Sequence, residues 1–166
     1  MNESKDFRLD SFIIQQCDIQ GRLFEYSLKN GVDSDDFIEK FMLSDTAKHL
    51  DLKYDRLQWA GEEYIFSNLS VEDGIEFKNT GKYFNKETLY WIGYIYRYWS
   101  YYTNESSSAI YEQADCNTMN KAYAGFHTLD ARMAVDNLKE LQNYKTEAAV
   151  QNMNNMLGLD EALGLE

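Results

Sequence analysis

Residues 89 to 102 read Leu-Tyr-Trp-Ile-Gly-Tyr-Ile-Tyr-Arg-Tyr-Trp-Ser-Tyr-Tyr, and eight of these fourteen are aromatic: Tyr90, Trp91, Tyr94, Tyr96, Tyr98, Trp99, Tyr101 and Tyr102. Wound as a helix, the segment carries rings on every side, which a single core-facing stripe cannot absorb. Some rings must fill a core, and the others must lie against a second element, a partner or solvent. Six are tyrosines, whose hydroxyls need polar neighbours when buried. The alternation of Tyr94, Tyr96 and Tyr98 also fits a strand. Apolar residues at both parities, the length and a capping Asn85 favour the helix. Trp91 and Tyr98 share a face with Ile95 and Tyr102 and are expected in the core; Tyr90, Tyr94 and Tyr101 share another face and are expected to be partly accessible.

The chain has 166 residues, 44% hydrophobic and 15% aromatic, enough for one domain with a sizeable core. No run approaches a membrane span, and Met1–Asp6 does not resemble a leader. Two isolated cysteines, Cys17 and Cys116, fit a reduced, cytoplasmic compartment. The net charge of −12 argues against direct nucleic-acid binding. It suits a basic protein partner, mimicry of a phosphate backbone, or solubility alone.

There is no proline, and the apolar spacing is mostly helical. A first helix is expected from Asp10 or Ser11 to Asn30-Gly31, and a second capped by Ser34 with Asp35 and Asp36 in its first turn. A third opens at Ser44, and a fourth covers 54–67. Residues 67–84 read as a loop or a small hairpin built from Ile75, Phe77 and Tyr83. The aromatic helix follows, capped by Asn85 and ending near Asn104. Ser106 and Asp115 cap two short helices, and Thr128 or Asp130 starts another carrying Met133, Val135, Leu138 and Leu141. The fold class is all-α. The organisation is an N-terminal helical subdomain at 1–66, the 67–84 loop, an aromatic-rich helical subdomain at 85–144 and a partly ordered tail at 145–166. In the tail, Ala149, Val150, Met153, Met156 and Leu157 fall near one face.

Chemistry-bearing motifs are absent. His49 and His127 sit in no zinc-ligand spacing, and Asp33, Asp35 and Asp36 lack the glycine and glutamate of a calcium loop. There is no nucleophile elbow and no phosphate-binding glycine loop. Cys17 falls on an apolar helix face, where a buried, inert thiol is the default. Glu62 and Glu63 point about 100° apart and do not converge as an acid/base pair. No metal, cofactor or catalytic residue is therefore assigned. Tyrosine and tryptophan are frequent interface anchors, so the candidate partner-binding residues are Tyr90, Tyr94, Trp99 and Tyr101. His127, in Phe126-His127-Thr128-Leu129-Asp130, is added as a residue that fixes a turn or meets a partner.

The run Leu89 to Trp99, the phrase Trp59-Ala60-Gly61-Glu62-Glu63-Tyr64-Ile65, and Phe126 to Asp130 together resemble small bacterial proteins of antitoxin type, encoded beside ADP-ribosyltransferase-like toxins. The resemblance spans roughly residues 10 to 140. It implies an inhibitor, not an enzyme, that neutralises a cognate toxin-like enzyme by direct contact. The absence of a basic DNA-binding segment departs from antitoxins that repress their own operon. Two other readings stand beside this one: an acidic decoy that imitates nucleic acid, as some phage anti-defence proteins do, and a small enzyme with an unrecognised site. Self-association as a homo-oligomer is compatible with each.

Overall fold

The computed structural model describes residues 7–164, with side chains to residue 158. Met1–Asp6, read above for a leader, and the last two residues lie outside it. Among the described residues there are eight α-helices, one 3-10 turn and no strand, so the all-α reading holds. Among the described residues no helix is long and apolar enough to cross a membrane.

α1 (Ser11–Lys29) starts where the Asp10 carboxylate accepts the Ile13 amide and ends at Asn30. There the Gly31 N–H bonds the Leu28 carbonyl, and Gly31 takes φ +70°, a left-handed conformation open to glycine without a Cβ penalty. α1 lies along α5 (Lys86–Thr103), the aromatic helix, in the most extensive helix pairing of the molecule. Two glycines permit this approach. A Cβ on Gly93 would sit 2.5 Å from the Gln20 carbonyl oxygen, and one on Gly21 would sit 2.7 Å from the Tyr90 ring. α1 and α5 are therefore in close main-chain contact at Gly93.

α2 (Ser34–Met42) and α3 (Asp45–Asp51) cover one side of this pair. Phe24 of α1 meets Phe37 and Phe41 of α2 edge-on at 5.3 and 5.4 Å, and Phe37 in turn stacks near Phe66 of α4 (Glu62–Val71). Leu23, Phe24, Phe37, Ile92, Tyr96 and Trp99 belong to one buried cluster. Residues on both sides of the 67–84 segment thus contribute to one buried cluster.

Three expectations change. The helix expected at 54–67 is broken into a 3-10 turn (Arg56–Trp59) and α4. Asp55 caps the turn at the Leu57 amide, and the Gln58 side chain closes it by donating to the Leu52 carbonyl at 2.5 Å. Extended backbone at Ala60 and Gly61 then restarts the helix at Glu62.

Of the loop and the hairpin expected at 67–84 the loop is present, at 72–85, because side chains of the α2 N-terminus take amides a ladder would use; the second change is the cap of α2. Asp33 accepts the amides of Thr80, Gly81 and Lys82, Asp36 accepts that of Lys78, and Ser34 Oγ accepts that of Phe84. Asp33 rather than Ser34 occupies the cap position of α2, and neither side chain caps it. The Thr80 hydroxyl, donating to Asp33, holds that carboxyl below its ordinary range; burial opposes the shift, and the loop amides add to it.

The third change is at the C-terminal end. α6 (Ser107–Gln113) and α7 (Cys116–Phe126) follow the expected caps at Ser106 and Asp115. α8 then runs unbroken from Ala131 to Gly164, with no interruption at 145. Six of the ten residues at 148–157 are alanine, glutamine, methionine or leucine, which favour helix over the weaker preference of three asparagines and a valine, and Gly158 costs only about 1 kcal/mol against alanine.

α8 is fastened to the body at Glu105, whose carboxylate accepts from Lys139, Gln113 and Trp99 Nε1. Burial alone would raise this carboxyl, but those hydrogen bonds outweigh it and hold the pKa down at about 2 from an ordinary 4.5. With the folded value below the unfolded one, the stabilisation is complete above 4.5 and is lost as pH falls towards 2. Glu105→Gln should cost about 1–2 kcal/mol near pH ~7, allowing for the exposure of the group. Denaturant titrations of both proteins across acid pH should show the gap closing; a pH-independent gap would mean that the carboxylate charge is irrelevant.

Candidate interaction site

Most of the aromatic helix is consumed by the fold. Trp91, Tyr96, Tyr98 and Trp99 are buried, as expected for Trp91 and Tyr98. The Tyr96 hydroxyl donates to the Ala114 carbonyl at 2.6 Å, and Trp99 Nε1 reaches Glu105 at 3.2 Å. Trp99 is 0% exposed, which removes it from the candidate partner-binding residues. The five turns of α5 are contacted by α1, α6, α7 and α8, so more rings find intramolecular partners than one packing stripe would provide.

The remaining candidates are dispersed in function. Tyr90 and Tyr94 are half-buried side by side at 6.1 Å, with the Tyr90 hydroxyl donating to Asp18 at 2.5 Å. His127 is exposed at the C-terminal end of α7, its Nδ1 2.6 Å from the Tyr123 carbonyl and its ring stacked on Tyr123 at 4.4 Å. It closes that helix and so holds a structural post. Tyr101, half-buried, sets its ring edge towards Phe12 at 6.5 Å. Its hydroxyl is buried without a hydrogen-bond partner among the described residues.

Phe12 leads to the aromatic surface that the sequence reading missed. Trp59 is 82% exposed and packs its ring against Phe12 at 5.9 Å, and Tyr54 is 84% exposed. With Lys53, Asp55, Arg56 and Gln58 they line a shallow groove of about 490 Å³. The local chemistry explains the exposure. Leu57 and Gln58 turn inward to close the 3-10 turn, which leaves Tyr54 and Trp59 pointing out on either side. Lys53 Nζ lies 5.6 Å above the Tyr54 ring. A signal was available: Gly61, two residues after Trp59, is a weak helix continuation.

No nucleophile and base are paired beside the groove among the described residues. His49 Nδ1 lies 3.0 Å from Asp55 Oδ2, but among the described residues no hydroxyl or thiol hydrogen-bonds that histidine. Cys17 is fully buried and burial pushes its thiol up to about 12; burial likewise raises Cys116, with Asp115 adding to it and the Tyr111 hydroxyl opposing it. Among the described residues no three His, Cys, Asp or Glu side chains converge as a metal site.

Several acids point inward. Asp33 and Asp36 hold the 72–85 loop, Asp51 pairs with Arg97 and Ser107, and Asp73 accepts from Thr46. No protein-family model matches this chain, and no curated protein or solved structure is significantly similar to it.

Proposed function

We propose that this chain is a protein-binding inhibitor that neutralises a cognate toxin-like enzyme by direct contact, and that it catalyses no reaction itself. The observation that carries this reading is the Trp59 patch: two strongly exposed aromatics beside Phe12, edged by Lys53, Asp55 and Arg56. An aromatic centre with a charged rim is the anatomy of a protein interface, and tryptophan and tyrosine are its commonest energetic anchors. Burial of Trp59 against a partner would remove a large apolar ring from water, whereas in the free chain it stabilises little. The resemblance to antitoxin-type proteins supplies the class of partner, and the net charge of −12 suits approach to a basic face. The acidic-decoy reading loses four of the chain's 28 carboxylates, because Asp33, Asp36, Asp51 and Asp73 satisfy internal donors.

The test is purification of the chain with the product of the adjacent gene. Stoichiometric inhibition of that enzyme is expected. Trp59→Ala should weaken binding by about thirtyfold, close to 2 kcal/mol, while changing stability by no more than about 0.5 kcal/mol. An adjacent enzyme that is neither bound nor inhibited would overturn the reading. Inhibition unaffected by Trp59→Ala would move the contact surface elsewhere.

A further inference from the structure

α8 divides into a docked half and a projecting half. Ala134, Val135 and Leu138 are buried against the body, while every residue from Asn143 to Gly158 is exposed. The helix from Asn143 to Gly158 therefore extends for about 24 Å at 1.5 Å per residue without lying on its own domain. Its apolar pattern does not stop where the docking stops. At 100° per residue, Met153 falls in line with Val135 and Met156 in line with Leu138. Ala149, Val150 and Leu157 flank them, and Val150, Met153, Met156 and Leu157 are all exposed. A solitary helix of this length is marginal in water, so an exposed stripe of this kind gains most from a partner helix.

The charge pattern says which partner. From Lys145 to Gly158 the only charged residues are Lys145 and Glu147, so this stretch is neutral in a chain that carries −12 overall. A foreign partner recognised by charge has nothing to hold there. A second copy of this chain, repelled by the acidic body, meets no like-charge penalty along this stretch. Side-chain sizes then choose the direction. Antiparallel pairing centred on Met153 sets small Ala149 opposite large Leu157 and Val150 opposite Met156, and the two helix dipoles oppose. Parallel pairing sets Ala149 opposite Ala149 and Glu147 opposite Glu147, a gap and a repulsion. Methionines suit a seam of this kind because they adapt to irregular gaps.

We propose that the projecting half of α8 pairs antiparallel with the same helix of a second copy, crossing at Met153. The pairing is independent of the inhibitor reading. Two bodies held apart by their projecting helices leave both Trp59 patches free.

Sedimentation or light scattering of the full chain should give twice the monomer mass at concentrations of about 10–100 µM. Met153→Glu, which puts a charge at the centre of the seam, should return it to monomer mass with its thermal transition unchanged. Trp59→Ala should remain a dimer, which separates this result from failure of the toxin contact. Direction is read by cysteine pairing, since a disulfide needs Cα atoms within about 7 Å. Met153→Cys should link to itself, and Ala149→Cys should link to Leu157→Cys in a mixed sample but not to itself. Monomer mass for the parent chain across that range, or a dimer that survives Met153→Glu, overturns the proposal. Self-linking of Ala149→Cys overturns the antiparallel arrangement.

Discussion

Replacing Arg97 by methionine should lower the stability of the domain by about 3–5 kcal/mol. Arg97 is 3% exposed and lies on α5 among the aromatic rings. Its Nε donates to Gln20 Oε1 of α1 at 2.8 Å. Nη1 donates to the Leu50 carbonyl at 3.2 Å and to Asp51 Oδ1 at 2.9 Å, and Nη2 reaches Ser107 Oγ at 3.3 Å. One guanidinium thereby ties α1, α3 and α6 to the central helix, which a lysine with a single charged nitrogen cannot reproduce. Methionine fills similar volume and isolates the electrostatic loss. The Asp51 carboxylate would keep Ser107 but lose its counter-charge while 12% exposed, and the Gln20 carbonyl oxygen of the side chain would lose its donor.

For a chain of this length the expected change corresponds to a fall in Tm of about 6–20 °C. Adding Asp51→Asn should recover part of the loss, because the stranded charge is then gone. A single variant within about 1 kcal/mol of the parent would show that burial of the rings, rather than this network, fixes the helices.

Arg97 also marks the limit of what sequence pattern carries. In the string it is the one charged residue among residues 89 to 102. Nothing in local spacing says that Gln20, Leu50, Asp51 and Ser107 converge upon it, since these partners lie 10 to 77 residues away. Features set by a few neighbouring residues were legible: Asp10, Ser44, Ser106 and Asp115 each cap a helix, and Asn104 ends α5 in a left-handed conformation at φ 59°. Features set by competition were not. Asp33 and Ser34 look like caps for α2, yet the loop amides at 80–84 claim them.

The surface was hardest to read, for the same reason. Ring count on α5 suggested surplus aromatics, but the surplus is absorbed by four neighbouring helices, and Trp99 lies among them. The strongly exposed tryptophan is Trp59, outside that run, because a 3-10 turn closed by Asp55 and Gln58 orients it outward. Its neighbour Phe12 comes from a helix 47 residues earlier, so the patch is assembled by the fold and not by a motif.

Gly93→Ala should destabilise the protein by about 3 kcal/mol, although alanine in a helix is ordinarily worth about 1 kcal/mol more than glycine. The sign is decided by what surrounds the new methyl group. Its position would be 2.5 Å from the Gln20 carbonyl oxygen, 2.9 Å from the Gln20 carbonyl carbon and 2.9 Å from Phe24 Cγ. The first two are main-chain atoms of α1, which cannot swing aside as a flexible side chain would. α1 and α5 must separate, and the cost spreads into the hydrogen bond from Gln20 Nε2 to the Gly93 carbonyl at 3.0 Å and into the Phe24 packing behind it. Gly125, on α7, has no atom within 4 Å of its would-be Cβ. Gly125→Ala should therefore stabilise by about 0.5–1 kcal/mol, since only the helix preference operates there. Denaturant midpoints of the two variants should move in opposite directions from the parent. Two alanines that shift the midpoint the same way would mean that α1 and α5 are not packed through Gly93 at the stated distance.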